Sequence, residues 1–358
     1  MANSASKTLL KGLSLSQLED FVQRQGMQPY RARQLFHWMY RKNVPLIAEM
    51  TTLKKSVREF LETHAEINLL SLSHAITSEY EPAQKFLFEL PDAERVESVY
   101  MEADNRRTIC VSSQAGCALK CDFCATGLMG QIRNLTPGEI VDQVLWVERH
   151  TKKEATNVVM MGMGEPFLNY DAVIQAAELM SHPDGIAISK RKITISTSGI
   201  IPAILRFADE GQRFKLAISL NATTAEDRRR LMPITKKFTL AKLLDAARYY
   251  TERPGQRVTF EYVLLRHVND SLLDAKRLRR LLANIPCKIN LIPYNAVDLG
   301  YESSTEERIQ QFVSELATFP APVTVRRSQG RDIQAACGQL FVQRADQKAR
   351  RRSRALSM

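Results

Sequence analysis

From about residue 105 onward, short apolar runs alternate with longer amphipathic ones. That alternation narrows the available folds more than any other feature of the chain. Runs at 108–113, 157–161, 192–197, 215–220, 258–265, 288–292 and 323–327 have the length and β-branched content of strands. Between them, 140–149, 170–180, 240–250, 272–282 and 306–316 have helical spacing. The first of these helices has a clear start, with Thr136 as N-cap, Pro137 at the first helical position and Glu139 at the third. Six or seven strand–helix units imply an α/β fold whose parallel sheet curls into a full or partial TIM-like barrel. Such barrels place their chemistry at the C-terminal ends of the strands.

The segment before the alternation is different. Residues up to about 75 read as helical. Ser14 and Gln17 form a capping box ahead of Leu18, Phe21 and Val22. Pro29 opens a second helix, 30–42, which interleaves Arg31, Arg33, Arg41 and Lys42 with Phe36, Trp38 and Tyr40. A third helix covers about 52–63. Basic charge mixed with aromatics suits RNA, by phosphate contact and base stacking. It equally suits an amphipathic helix packing its own small core. Next, 85–90 and 95–101 alternate as a hairpin around Pro91 and Asp92. The expected division is an N-terminal helical (helix–hairpin–helix-like) domain plus hairpin at 1–100, the barrel at 101–342, and a basic arm at 343–358.

Charge points toward phosphate without requiring it. Lysine and arginine total 50 against 39 acidic residues, a net charge of +11 over 358 residues. A partner dense in phosphate would suit that balance, and so would a merely basic protein. The arm concentrates the excess, with Arg350, Arg351 and Arg352 consecutive, and reads as disordered. No run of 18 apolar residues offers a membrane span, and the first residues lead into no signal-peptide stretch. The expectation is a soluble cytoplasmic protein with no membrane partner.

Cysteine usage supplies the chemistry. Three of the six cysteines, Cys117, Cys121 and Cys124, crowd one loop with the spacing C-x3-C-x2-C, directly after the first barrel strand. Zinc sites more often show paired C-x2-C knuckles and a fourth ligand, and a structural zinc site is the alternative. Three thiolates on a 4Fe–4S cubane leave one iron open. That iron can chelate S-adenosylmethionine, whose reductive cleavage yields a 5′-deoxyadenosyl radical. At the end of the second strand lies Met161-Gly162-Met163-Gly164-Glu165. Gly164 would allow close approach to a ligand, and Glu165 could accept a hydrogen bond from the cofactor's amino group. Ser196, Ser219, Asn221 and Asn295, each near a strand end, are candidate partners for its ribose and carboxylate. Phe123 suits the cofactor's adenine or the core. Cys110 and Cys337, by themselves, read as small buried hydrophobes, and Cys287 as core.

Several long segments resemble the RlmN/Cfr family of radical S-adenosylmethionine RNA methyltransferases, over about 30–340. They are Arg95-Val96-Glu97-Ser98, Cys110-Val111-Ser112-Ser113-Gln114, the cysteine run, Arg133-Asn134-Leu135-Thr136, the Met161–Glu165 segment, and 332–340 around Cys337. The resemblance implies a partial (βα)6-type radical S-adenosylmethionine barrel with a small N-terminal helical accessory domain. It implies one 4Fe–4S cluster per chain, held by Cys117, Cys121 and Cys124, and two S-adenosylmethionine molecules consumed per turnover. Cys337 would carry a methyl group, Cys110 would resolve the protein–RNA adduct as a disulfide, and Glu97 would accept a proton. Implied partners are 23S ribosomal RNA, transfer RNA and an external flavodoxin-like electron donor, with the chain acting as a monomer. One branch of the family methylates adenine C2 and another C8. The segments 260–266, 285–295 and 325–328 look like the C2 branch. Asn221, where some relatives carry histidine, departs from the pattern. Two rivals stay open on the residues alone: a radical enzyme with a small-molecule substrate, and a zinc-stapled RNA-binding protein without catalysis.

Overall fold

The computed structural model describes residues 7–253 and 255–342. The expected basic arm, 343–358, lies outside the described residues.

Ten strands form one sheet in strict chain order. They are β1 (Ser71–Thr77), β2 (Ala83–Glu89), β3 (Arg95–Ala103), β4 (Arg106–Cys110), β5 (Asn157–Met160), β6 (Ile193–Thr197), β7 (Lys215–Ser219), β8 (Val258–Leu264), β9 (Cys287–Pro293) and β10 (Val323–Val325). Strands β4 to β10 are parallel neighbours, and β1 to β4 pair antiparallel. No pairing closes β10 onto β4 among the described residues, so the parallel arc is a partial barrel. Helices follow the strands, because parallel neighbours need a crossover. They include Pro137–Thr151, Tyr170–Ser181, Ile201–Asp209, Leu240–Glu252, Leu272–Leu282 and Glu306–Glu315. The expected strands and helices of the barrel are present, with ends shifted by a few residues.

Side-chain alternation divides the barrel into two zones. Ile109, Val158, Ile193, Ile195, Leu216, Ile218, Phe260 and Ile289 are all fully buried and face the helices. The alternate positions, among them Thr108, Cys110, Val159, Thr194, Ala217, Glu261 and Asn290, line a cavity of about 1470 Å³ inside the arc. A closed barrel of bulky inward residues would fill this space. Small and polar inward residues leave it open.

The N-terminal segment departs from expectation in two places. Residues 71–77, within the stretch read as helical to about 75, form β1, which carries the sheet one strand beyond the expected hairpin. The strand β3 then pairs with β4, Val99 opposite Cys110, so the hairpin is continuous with the barrel sheet. The expected single helix at 30–42 is α-helical over Tyr30–Phe36 and π-helical over His37–Arg41. Phe36 and Tyr40 are buried there, with Phe36 edge-on to His182 of the barrel. Packing, and not base stacking, accounts for these two aromatics. The capping boxes at Ser14–Gln17 and Thr136–Glu139 are present as read.

A buried ion pair links this segment to the barrel. The Lys11 ammonium lies 2.6 Å from Asp142 on the first barrel helix, and both side chains are 1% exposed. Asp142 also accepts from the backbone of Leu69 and Leu70. Among the described residues, no helix is long and apolar enough to cross a membrane.

Candidate active site

The cysteine loop leaves the barrel between two short antiparallel strands, Gln114–Cys117 and Gly130–Asn134. Gly116, at φ +73°, sits where a Cβ would collide with the Gly130 carbonyl oxygen. The turn therefore tolerates only glycine. Cys117, Cys121 and Cys124 are half-buried. Burial is the main force raising the Cys117 thiol to about 12, and it also raises Cys121 well above its ordinary value. Repulsion from neighbouring thiols and from Glu165 adds to both shifts. Among the described residues no three His, Cys, Asp or Glu side chains already converge as a ligand set.

One nearby residue fits an anionic group at this loop. Arg228 is 1% exposed and forms no ion pair with a carboxylate among the described residues. It donates to the carbonyl oxygens of Leu220, Ser198 and Ser219 and to the Thr235 hydroxyl. Burial lowers its pKa to about 10, while Cys121 opposes that shift. A buried cation without a counter-charge is costly. Three thiolates bound to an iron cluster would supply one, so the donor set suits the cluster the sequence implied.

The strand ends beside this loop are mostly occupied by hydrogen bonds within the protein. Gly164 adopts φ +103°, and a Cβ there would lie 2.6 Å from the Gln114 Cβ. Glu165 is buried, and its carboxylate accepts from Phe167 N at 3.0 Å and Ser198 N at 2.7 Å. Desolvation pushes its pKa up against these bonds. Ser196 is 8% exposed at the end of β6. Ser219 ends β7, its carbonyl accepting from Arg228. Asn221 follows the end of β7. It has φ +56°, and its Oδ1 accepts from Val263 N at 2.9 Å. Its amide oxygen ties the β7 end to β8. Asn295 donates to the Ser328 hydroxyl at 3.0 Å and the Cys337 carbonyl at 3.2 Å. It therefore holds the Cys337 segment. Phe123 packs with Leu231, Met232 and Tyr294 in a small core of its own.

Residues 330–342 cross the C-terminal mouth and attach to the cysteine loop. Ala125 N donates to the Gly338 carbonyl at 2.8 Å, and the Thr126 hydroxyl to Leu340 at 2.7 Å. Glu97 accepts from Phe341 N at 2.9 Å and pairs with Lys85 at 3.1 Å. Burial raises the Glu97 pKa in spite of Lys85. Cys110 and Cys337 both line the central cavity, although they come from opposite ends of the barrel sequence. Burial is the main force raising both thiols, Cys110 to about 12, and Cys337 contributes to the Cys110 shift. Both cysteines are free thiols. The Arg326 guanidinium opposes the rise at both sulfurs. It lies 3.7 Å from Glu261 and donates to the Met161 sulfur at 3.5 Å. Cys287 is 2% exposed in β9, as read.

Sequence reasoning missed Arg228, Glu261 and Arg326. Glu261 had a signal, a lone carboxylate inside the apolar run 258–264. Arg228 is hidden in the run Arg228-Arg229-Arg230. Arg326 was read only as part of a branch marker.

Comparison with known proteins shows the family and the fold. The profile of the radical SAM superfamily matches residues 111–278, and that of the ribosomal RNA large subunit methyltransferase N-terminal domain matches residues 8–67. The chain is 47% identical over 332 residues to the dual-specificity RNA methyltransferase RlmN of Geobacter sulfurreducens, covering 92% of this chain and 91% of the relative. It is 42% identical over 335 residues to a probable RlmN of Thermotoga maritima, covering 94% and 98%. A radical SAM methyltransferase structure from Sphaerobacter thermophilus superposes with a TM-score of 0.89 at 42% identity, covering 93% of this chain and 99% of the other.

Proposed function

The chain belongs to the RlmN family of dual-specificity RNA methyltransferases, and from that membership we propose that it methylates adenine C2 in RNA through a methyl-cysteine intermediate. Its substrates are an adenosine in the peptidyl-transferase region of 23S ribosomal RNA and the adenosine beside the anticodon of certain transfer RNAs. The supporting observation is that Cys110 and Cys337 line one cavity while the Cys337 segment is hydrogen-bonded to the loop that follows Cys124.

In this reading Cys117, Cys121 and Cys124 hold a 4Fe–4S cluster, with Arg228 as the buried counter-charge. When bound, the cluster and S-adenosylmethionine supply the methyl group and the hydrogen-abstracting radical. Gly164, Glu165, Ser196 and Ser219 border the cofactor, and Asn295 positions the Cys337 segment. The Cys337 sulfur carries the methyl-derived carbon to the base. A carbon radical can add to C2, which is electron-poor between two ring nitrogens. Restoring the ring requires loss of one electron, which the bound cluster would take back, and of one proton, which Glu97 takes, its raised pKa suiting a general base. Cys110 then attacks the Cys337 sulfur. The S–S bond forms as the C–S bond breaks, its electron pair leaves with the carbon, and protonation of that carbon completes the methyl group on the RNA. The chain works as a monomer with an external electron donor. It divides into an accessory unit at 1–100, a barrel at 101–342 and the arm beyond.

Mass spectrometry of nucleosides from RNA incubated with enzyme, cofactor and reductant tests the activity. The expected product is 2-methyladenosine, and its absence would overturn the reading. A Cys110→Ala variant tests the release step. It is expected to accumulate a covalent protein–RNA adduct through Cys337, seen as a slowly migrating band in a denaturing gel. Wild-type turnover without adduct would remove Cys110 from the reaction.

A further inference from the structure

Glu261 is the one carboxylate lining the central cavity among the described residues, and the reaction as proposed leaves it without a role. It lies in the middle of β8 and is 6% exposed. Asn290, opposite it on β9, supports its ionised form, yet its Oε1 is buried with no hydrogen-bond partner among the described residues. The Arg326 guanidinium stops 3.7 Å from that oxygen, near enough for an ion pair and too far for a hydrogen bond. Arg326 is half-buried just beyond β10 and is equally unspent. Among the described residues its side chain donates only to the Met161 sulfur, at 3.5 Å, and a thioether is a weak acceptor. A buried polar group left unpaired is costly. Burial raises the Glu261 pKa against the pull of Arg326 and Asn290, and a further donor to the carboxylate would offset that cost.

What the two groups lack is complementary. Glu261 offers an acceptor and Arg326 offers donors, side by side on one cavity wall. Adenine carries the matching pair on its Watson–Crick edge, where the amino group on C6 donates and N1 accepts. Bases turned out of their stacks are commonly read along that edge. We propose that Glu261 and Arg326 select the target adenine, Glu261 accepting from its amino group and Arg326 donating to N1. The inference rests on the RNA methyltransferase reading and deepens it by naming what distinguishes adenine from other bases. The placement also serves the chemistry. C2 is bonded to N1, so a base held by Arg326 has C2 on the side of that guanidinium. Arg326 and Glu261 both act electrostatically on Cys110 and on Cys337, which sets the two sulfurs near the same pair. A hydrogen bond to N1 draws electrons away from C2. It also stabilises the electron pair that the departing carbon spreads onto N1. Guanine and hypoxanthine invert the pattern. Their carbonyl oxygen would meet the carboxylate and their N1–H the guanidinium, two repulsions at once.

The test uses the full, cluster-loaded chain and three ligated full-length transfer RNAs carrying adenosine, purine riboside or inosine at the target position. Purine riboside lacks only the amino group. The preference for adenosine over purine riboside is read as a ratio of kcat/KM. It should be roughly 10- to 100-fold larger in wild type than in Glu261→Leu, the usual cost of withholding a donor from a buried charge. The altered electronics of the base are common to both enzymes and cancel. Glu261→Gln keeps an acceptor oxygen and should hold that ratio within about threefold of wild type. Its amide can also donate to a carbonyl, so inosine should gain about 10-fold or more relative to adenosine. Calorimetric affinity for S-adenosylmethionine should stay within about threefold of wild type in both variants. Equal adenosine-to-purine ratios in wild type and Glu261→Leu, at matched thermal melting, would overturn the assignment while leaving RNA methylation standing. Weakened cofactor binding would also overturn it, by assigning the pair to the cofactor's own adenine. Where Glu261→Leu melts lower or is inert, the inosine ratio of Glu261→Gln decides, and an unchanged ratio overturns the assignment. A wild-type chain that methylates none of the three RNAs would overturn both readings.

Discussion

Replacing Cys337 with alanine is expected to abolish methyl transfer to RNA, by about 10³-fold or more, while S-adenosylmethionine is still cleaved. The residue is half-buried on an irregular segment, so the lost sulfur should hardly affect folding. The segment is held by its backbone, through Ala125 N to Gly338 O, Asn295 to the Cys337 carbonyl and Glu97 to Phe341 N. None of these bonds uses the Cys337 side chain. The loss is therefore chemical, about 4 kcal/mol or more of transition-state stabilisation. Cys337→Ser separates shape from chemistry. It nearly preserves volume, but its hydroxyl is a much weaker nucleophile than a thiolate. Both variants should yield 5′-deoxyadenosine and no 2-methyladenosine. Methyl transfer surviving in either would mean that the carbon never resides on this sulfur.

The second large effect falls on stability. Asp142→Ala should destabilise the chain by about 3–5 kcal/mol, the usual cost of breaking a buried ion pair. It removes the partner of Lys11, whose own burial already lowers its pKa despite the carboxylate. It also orphans the backbone N–H groups of Leu69 and Leu70. Domains are stable by only about 5–15 kcal/mol, so the loss is a large share. Thermal melting should fall by roughly 10 °C, at about 2–4 °C per kcal/mol for chains of this order. Because the pair joins the N-terminal segment to the first barrel helix, protease cleavage within 8–67 should increase first. A double variant, Lys11→Met with Asp142→Leu, removes both charges and should recover part of the loss. A melting point unchanged in Asp142→Ala would show that the pair contributes nothing net.

Much of this molecule is legible locally. The strand–helix alternation, the capping boxes at Ser14 and Thr136, and the cysteine loop after β4 depend on neighbours in sequence, so pattern and propensity suffice to read them. Strand β1 was not legible, because 71–77 gains its structure from pairing with β2 and not from its own composition. Asn221 shows the same limit at the site. Its position at a strand end was readable, but the positive φ that turns its amide onto Val263 was not. Arg228 likewise sits in a run of three arginines, and only folding buries one of them against the cysteine loop.

The alternation after residue 105 determined by itself that the chain forms a parallel α/β arc, and the cysteine spacing marked the loop on which we propose the cluster. Tertiary structure decided the rest. Curvature of an open sheet, with small inward residues, leaves a cavity along the barrel axis. It draws Cys110 from the first barrel strand and Cys337 from beyond the last to the same space, and it sets Glu261 beside Arg326 there. Such proximity depends on how the sheet curls, which no stretch of sequence encodes locally.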